Sequence, residues 1–140
     1  MADYKFYIAE WITRLFLGIL LFFQGFDKVF VVKIKGVIEA YENEVCARRH
    51  IPRGLLSFAA YWTSCIELLT GFLLILGLFK YFALTLIGID LLLVAVAFSI
   101  VKPMWDMKFV FPRLVLLITL LLLPEQWNVI SLDYLIQNLK

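Results

Sequence analysis

Four long apolar stretches alternate with polar connectors along this 140-residue chain, and that alternation predicts the fold. The stretches cover roughly residues 11–30, 54–78, 81–101 and 109–123. At 1.5 Å per residue the first three are long enough to cross a hydrocarbon core of about 30 Å, and the fourth is short for a span. Residues 1–10 form a polar lead. Within the first three stretches small and polar residues recur on one face at helical spacing. In the first helix Arg14, Gly18, Leu21, Gly25 and Lys28 share a side, and the two glycines let a second helix backbone approach closely. The second helix has a stripe of Ala60, Ser64 or Thr63, Glu67, and Gly71 or Thr70; the third has Ala83, Ile87, Asp90, Val94 and Ala97.

The links between stretches set the topology. The tight turn from Gly77 to Tyr81 makes the second and third helices antiparallel neighbours. In the connector 31–53, Val37, Ile38, Tyr41 and Val45 form an amphipathic pattern of about two turns, too short to span and suited to the interface. The tail 128–140 carries Val129, Ile130, Leu132, Leu135, Ile136 and Leu139, an interfacial helix or a docking segment. The expected architecture is a single transmembrane domain over residues 1–140, all-α. It is a four-helix transmembrane bundle with a short interfacial amphipathic segment between helices 1 and 2.

Composition fixes the class as an integral membrane protein. Hydrophobic residues make up 64% of the chain and its mean hydropathy is +0.94, against about 45–50% apolar in soluble domains. The net charge of +2 says little about partners, but its distribution is informative. Lys28, Lys33, Lys35, Arg48, Arg49, Arg53, Lys102 and Lys108 lie on the connector side; Lys5, Lys80 and Lys140 lie on the side of the termini. That bias predicts cytoplasmic connectors at 31–53 and 102–108, with both termini outside. The first stretch reads as a retained span, because Asp3 and Glu10 occupy what would be a cationic leader region and no small-x-small site follows.

Trp11, Trp105 and Trp127 read as interfacial belt residues, and Asp27 with Lys28 as an interfacial pair. Cys65 reads as a small buried hydrophobe off the face of Glu67, and Cys46 with His50 is too sparse a set for a metal site. The sequence has no haem, iron–sulfur or zinc ligand set and no nucleophile triad. Any electron carrier would be a bound cofactor or belong to a partner.

Chemistry is concentrated in four charges within the spans: Arg14, Glu67, Asp90 and Arg113, which sum to zero. Glu67, Asp90 and Arg113 fall in one layer near the middle of the membrane, and Arg14 reaches that layer or snorkels outward. Ionisable groups at that depth cost several kcal/mol unless they face protein, water or a partner. One reading is architectural, with Arg14 or Arg113 paired to Glu67 and Asp90 to fix helix order. The other is a polar pocket in which Glu67 and Asp90 handle protons, since a carboxyl in hydrocarbon exchanges protons near neutral pH. Arg14, Arg113 and Glu67 would then hold the ligand.

Three motifs carry a resemblance. Arg14-Leu15-Phe16-Leu17-Gly18, then Gly25-Phe26-Asp27-Lys28, then Glu67-Leu68-Leu69-Thr70-Gly71 continuing to Gly77-Leu78 resemble the R-x-x-x-G, G-x-x-K and E-x-x-x-G-x-x-L-x-x-G-L patterns of the DoxX family. The Ile51-Pro52 pair before the second helix and the acid at Asp90 are similar too. The resemblance implies a small four-helix membrane protein with a link to quinone-dependent redox systems. It points to a quinone-facing subunit or accessory with a protein partner or a homo-oligomeric state. The competing expectation is a non-catalytic assembly or anchoring subunit of a larger complex, its charges structural.

Overall fold

A computed structural model describes residues 3–39, 52–101 and 110–139. Helix α1 runs Asp3–Phe26 and continues as a π-helical turn over Asp27–Val31. Beyond Lys33, whose φ is +59°, residues 33–39 resume a helix, α2. Then follow α3 (Arg53–Leu76), α4 (Lys80–Val101) and α5 (Phe111–Leu122), a 3-10 turn at Glu125–Trp127 and a short α6 (Leu132–Asn138). Among the described residues there is no strand. Among the described residues three helices are long and apolar enough to cross a membrane, and α5 is a shorter apolar one.

The expected polar lead is helical from Asp3, so α1 starts well ahead of Trp11. Of the amphipathic pattern in the first connector, Val37 and Ile38 are in α2, whereas Tyr41 and Val45 lie outside the described residues, as does the whole of the connector 102–108 with Trp105.

Helices α1 and α3 pack backbone to backbone, as the glycine spacing predicts. A Cβ on Gly25 would stand 2.5 Å from the Leu68 amide nitrogen, and one on Gly71 would stand 2.7 Å from the Phe22 Cα. Small residues make this seam, since in a membrane helices associate by close contact rather than by a hydrophobic drive. The buried stripe of α3 is Ala60, Ser64, Ile66, Glu67, Thr70, Gly71 and Leu74. Its hydroxyls bond their own helix: Ser64 donates to the Ala60 carbonyl and Thr70 to that of Ile66, each at 2.7 Å. They satisfy themselves and leave the seam to shape.

The core joins Leu17 and Leu21 of α1, Ile66 and Leu74 of α3, Leu84, Ile87 and Leu91 of α4, and Leu117 and Leu120 of α5. On α4 the expected face holds from Ala83 to Asp90, with Val94 packed against the core, but Ala97 is exposed. The link between α3 and α4 closes by a Schellman arrangement, with Leu78 N–H donating to Leu73 O at 2.9 Å and Gly77 N–H to Leu74 O at 3.2 Å. Gly77 has φ +67° there, and a Cβ would run into Ser131 and the Arg14 guanidinium. Only glycine fits both demands.

Candidate functional site

Glu67, Asp90 and Arg113 each lie about ten residues from the Gly77 end of the bundle, one layer roughly 15 Å deep at 1.5 Å per residue. In that layer Glu67 is clamped by two cations. Lys28 Nζ donates to its Oε2 at 2.5 Å, and Arg113 Nη1 to its Oε1 at 3.2 Å. The carboxylate is buried, yet the Lys28 side chain is 31% exposed and that of Arg113 11%. This cluster therefore opens at its edge. Lys28 arrives through the π-turn, where Val32 N–H donates to Asp27 O at 2.8 Å across the widened ring. Asp27 stays exposed while Lys28 turns to Glu67. The interfacial Asp27–Lys28 pair expected from the sequence is replaced by a contact between α1 and α3.

Asp90 completes the layer. It is 1% exposed, and neither carboxyl oxygen has a hydrogen-bond partner among the described residues. It feels the charges of Glu67, Lys28 and Arg113, and the four together sum to zero. One turn before Lys28, the Gln24 side-chain oxygen is also buried and unpartnered. Buried polar atoms rarely go unmatched, and orphaned ones mark a place where water, an ion or a ligand belongs.

Arg14 is elsewhere. The structure does not bring it to Glu67 but sets it about 20 Å from Lys28 along α1, at 1.5 Å per residue. Its Nε lies 3.3 Å from Glu10 Oε1, and Lys80 Nζ lies 3.0 Å from the same oxygen. Neither pair has hydrogen-bond geometry, so this is attraction between close charges rather than directed bonding. The directed bonds of Arg14 run to backbone: Nη1 donates to Leu74 O at 2.7 Å and Nη2 to Ile130 O at 2.5 Å. The guanidinium thereby satisfies a terminal carbonyl of α3, where the helix dipole favours a cation.

The tail closes that end. Asp133 accepts from Lys80 N–H at 3.3 Å, at the start of α4, and its own N–H donates to Gly77 O at 3.1 Å. Ser131 caps α6 by accepting from Tyr134 N–H, and Trp127 stacks on Phe6 with centroids 4.4 Å apart. Of the two readings of the tail, docking is the one its polar contacts match, although Leu135, Ile136 and Leu139 remain exposed. Glu10, Arg14 and Lys80 are all at most 2% exposed, a sealed trio.

Cys65 corrects an expectation: it is exposed rather than buried. Its position two residues before Glu67 turns it to the outer side of the α1/α3 seam. There it lines an apolar groove of about 430 Å³ with Phe22, Phe26, Phe30, Leu68, Leu69 and Phe72. The groove has no charged lining, so it is separate from the Glu67 cluster. Cys46 and His50 lie outside the described residues.

Sequence reasoning placed Glu67, Asp90 and Arg113 in one layer, as the structure has them, and missed Lys28, Glu10 and Lys80 as buried partners. Signals for all three exist. Lys28 shares the helical face of Gly25, Glu10 is four residues before Arg14, and Lys80 is two turns before Ile87. A family model for DoxX matches residues 10–100. The chain belongs to the DoxX family. The matched region of this DoxX chain holds both charge trios except Arg113, which lies beyond it. No curated protein and no solved structure matches the chain. Family and apolar helices together make it a multi-pass membrane protein in a lipid bilayer.

Proposed function

We propose that this DoxX-family chain is a four-helix transmembrane bundle, with α5 as its short fourth span, whose open charge cluster is a pocket for a quinone-class ligand. In this reading it serves as a membrane subunit or accessory of a redox system and works with a protein partner or a second copy. Both termini lie outside and the longer connectors in the cytoplasm, on the strength of the Lys and Arg distribution.

The observation that carries the reading is Asp90, an acid inside an apolar bundle with both oxygens unpartnered. The neighbouring groups fit such a ligand: Arg113 and Lys28 are donors suited to carbonyl oxygens, and Asp90 is an acceptor suited to hydroxyls. A quinone bound there supplies the electron chemistry that the side chains lack. Glu67 keeps Lys28 and Arg113 in register, and Asp90 holds or releases a proton at the ligand's edge. Arg14 belongs to the sealed trio and takes no part in binding.

A second reading, an assembly or anchoring subunit with structural charges, draws on the fact that Glu67 already has a cation on each oxygen. Extraction into native-lipid nanodiscs, followed by mass-spectrometric quantitation of co-purifying quinones, separates the two. The pocket reading expects quinone above its ratio in the bulk membrane for the wild type and at that ratio for Glu67→Gln. Quinone at the bulk ratio in both, together with a stoichiometric protein partner, would favour the assembly subunit.

A further inference from the structure

The unpartnered atoms in the mid-membrane layer have one chemical character. Asp90 Oδ1, Asp90 Oδ2 and Gln24 Oε1 are all buried oxygens without a donor. The carboxylate that has donors, Glu67, uses Lys28 on one oxygen and Arg113 on the other. Lys28 and Arg113 thus have a partner already, and what the layer lacks is a donor for Asp90.

Charge decides what kind of donor. Lys28, Arg113, Glu67 and Asp90 sum to zero, so a metal or ammonium ion at Asp90 would leave a net positive charge in low dielectric, next to two existing cations. A neutral hydroxyl brings a donor and no charge. Resting on the quinone-class reading above, we infer that the pocket binds the reduced, hydroxyl-bearing form of its ligand in preference to the oxidised form, with the ligand hydroxyl donating to Asp90. Against the carboxylate form of Asp90 the oxidised ring presents only acceptors and would set oxygen against oxygen. No bond is made or broken in this selection.

The test uses the full chain in lipid nanodiscs under anaerobic conditions, with three probes: 2-decyl-1,4-benzohydroquinone, the matching benzoquinone and the hydroquinone dimethyl ether. Equilibrium dialysis against empty discs removes the contribution of partitioning into lipid. A hydrogen bond to a charged acceptor implies that the hydroquinone binds on the order of tenfold or more tighter than the quinone, and the dimethyl ether no tighter than the quinone. Asp90→Asn, which adds an amide donor, should bring the ratio near one or reverse it. The wild-type ratio needs no variant and stands even if that substitution unfolds the bundle. Equal or tighter binding of the quinone, or a ratio unchanged in a folded Asp90→Asn, overturns the inference while leaving a quinone pocket in place. If none of the probes binds above empty discs, the pocket reading itself falls.

Discussion

Two clusters in this molecule are built from the same three residue types, and they are used differently. At the Gly77 end, Glu10 sits between Arg14 and Lys80; in the middle layer, Glu67 sits between Arg113 and Lys28. The first trio is sealed, and its guanidinium spends its directed bonds on the carbonyls of Leu74 and Ile130, tying α1 to the end of α3 and to the tail. The second leaves a lysine about one-third exposed and has an unpartnered acid beside it. Identical charges thus make a lock where the acid lies close to two buried cations and the guanidinium ties helix end to tail, and a candidate site where Asp90 has no hydrogen-bond donor and the cluster opens at Lys28.

The comparison breaks most readily at the lock. Arg14→Met leaves Glu10 with one cation and frees a buried carbonyl at Leu74 and a part-buried one at Ile130, a loss of about 3–5 kcal/mol for breaking a buried pair. Unfolding in mixed micelles should register it, and a wild-type midpoint would mean that the trio does not hold the end together. Next comes Glu67→Gln, which keeps the shape and an acceptor oxygen for the two cations but removes the carboxylate charge, for a loss of about 1–3 kcal/mol. If that loss matched the one for Arg14→Met, the middle layer would be as structural as the end.

Lys28→Met should cost less than Arg14→Met, because Glu67 keeps Arg113 on its other oxygen. Its effect belongs to ligand retention, measured as quinone carried through purification. Asp90→Asn is expected to be the smallest change in stability, within about 1 kcal/mol and in the stabilising direction, since it removes an acid that no group satisfies. A stable protein that has lost its preference between ligand forms would be the sign of a site maintained at some expense of stability.

Much of this was legible in the sequence, for a physical reason. Helical periodicity in a nearly all-apolar chain makes each polar residue conspicuous, so the stripe from Ala60 to Gly71 and the position of Asp90 on α4 could be read directly. The close approach at Gly25 followed from the absence of a side chain. The partners of the charges were harder, because pairing depends on how far a side chain reaches and which way a helix end turns. Lys28 shares the helical face of Gly25, which points it inward, but that spacing does not say that Glu67 rather than Asp27 is its partner. Of the two readings of Arg14, reaching the Glu67 layer is not the one the structure shows, and the tail carbonyl of Ile130 that receives it is 116 residues away in the chain. Cys65 was misjudged because the outer side of the seam is itself a groove.

The most direct test of the lock-and-site distinction is labelling with dicyclohexylcarbodiimide, an apolar reagent that modifies carboxyl groups inside membranes, with adducts mapped by mass spectrometry on the protein in its native lipid. Asp90 should take an adduct, slowed by added hydroquinone, and Glu10 none, because Arg14 and Lys80 lie 3.3 and 3.0 Å from its Oε1 and hold it as the carboxylate. Modification of Glu10 at a rate equal to that of Asp90, or an inert Asp90 beside a reactive Glu10, would contradict the distinction.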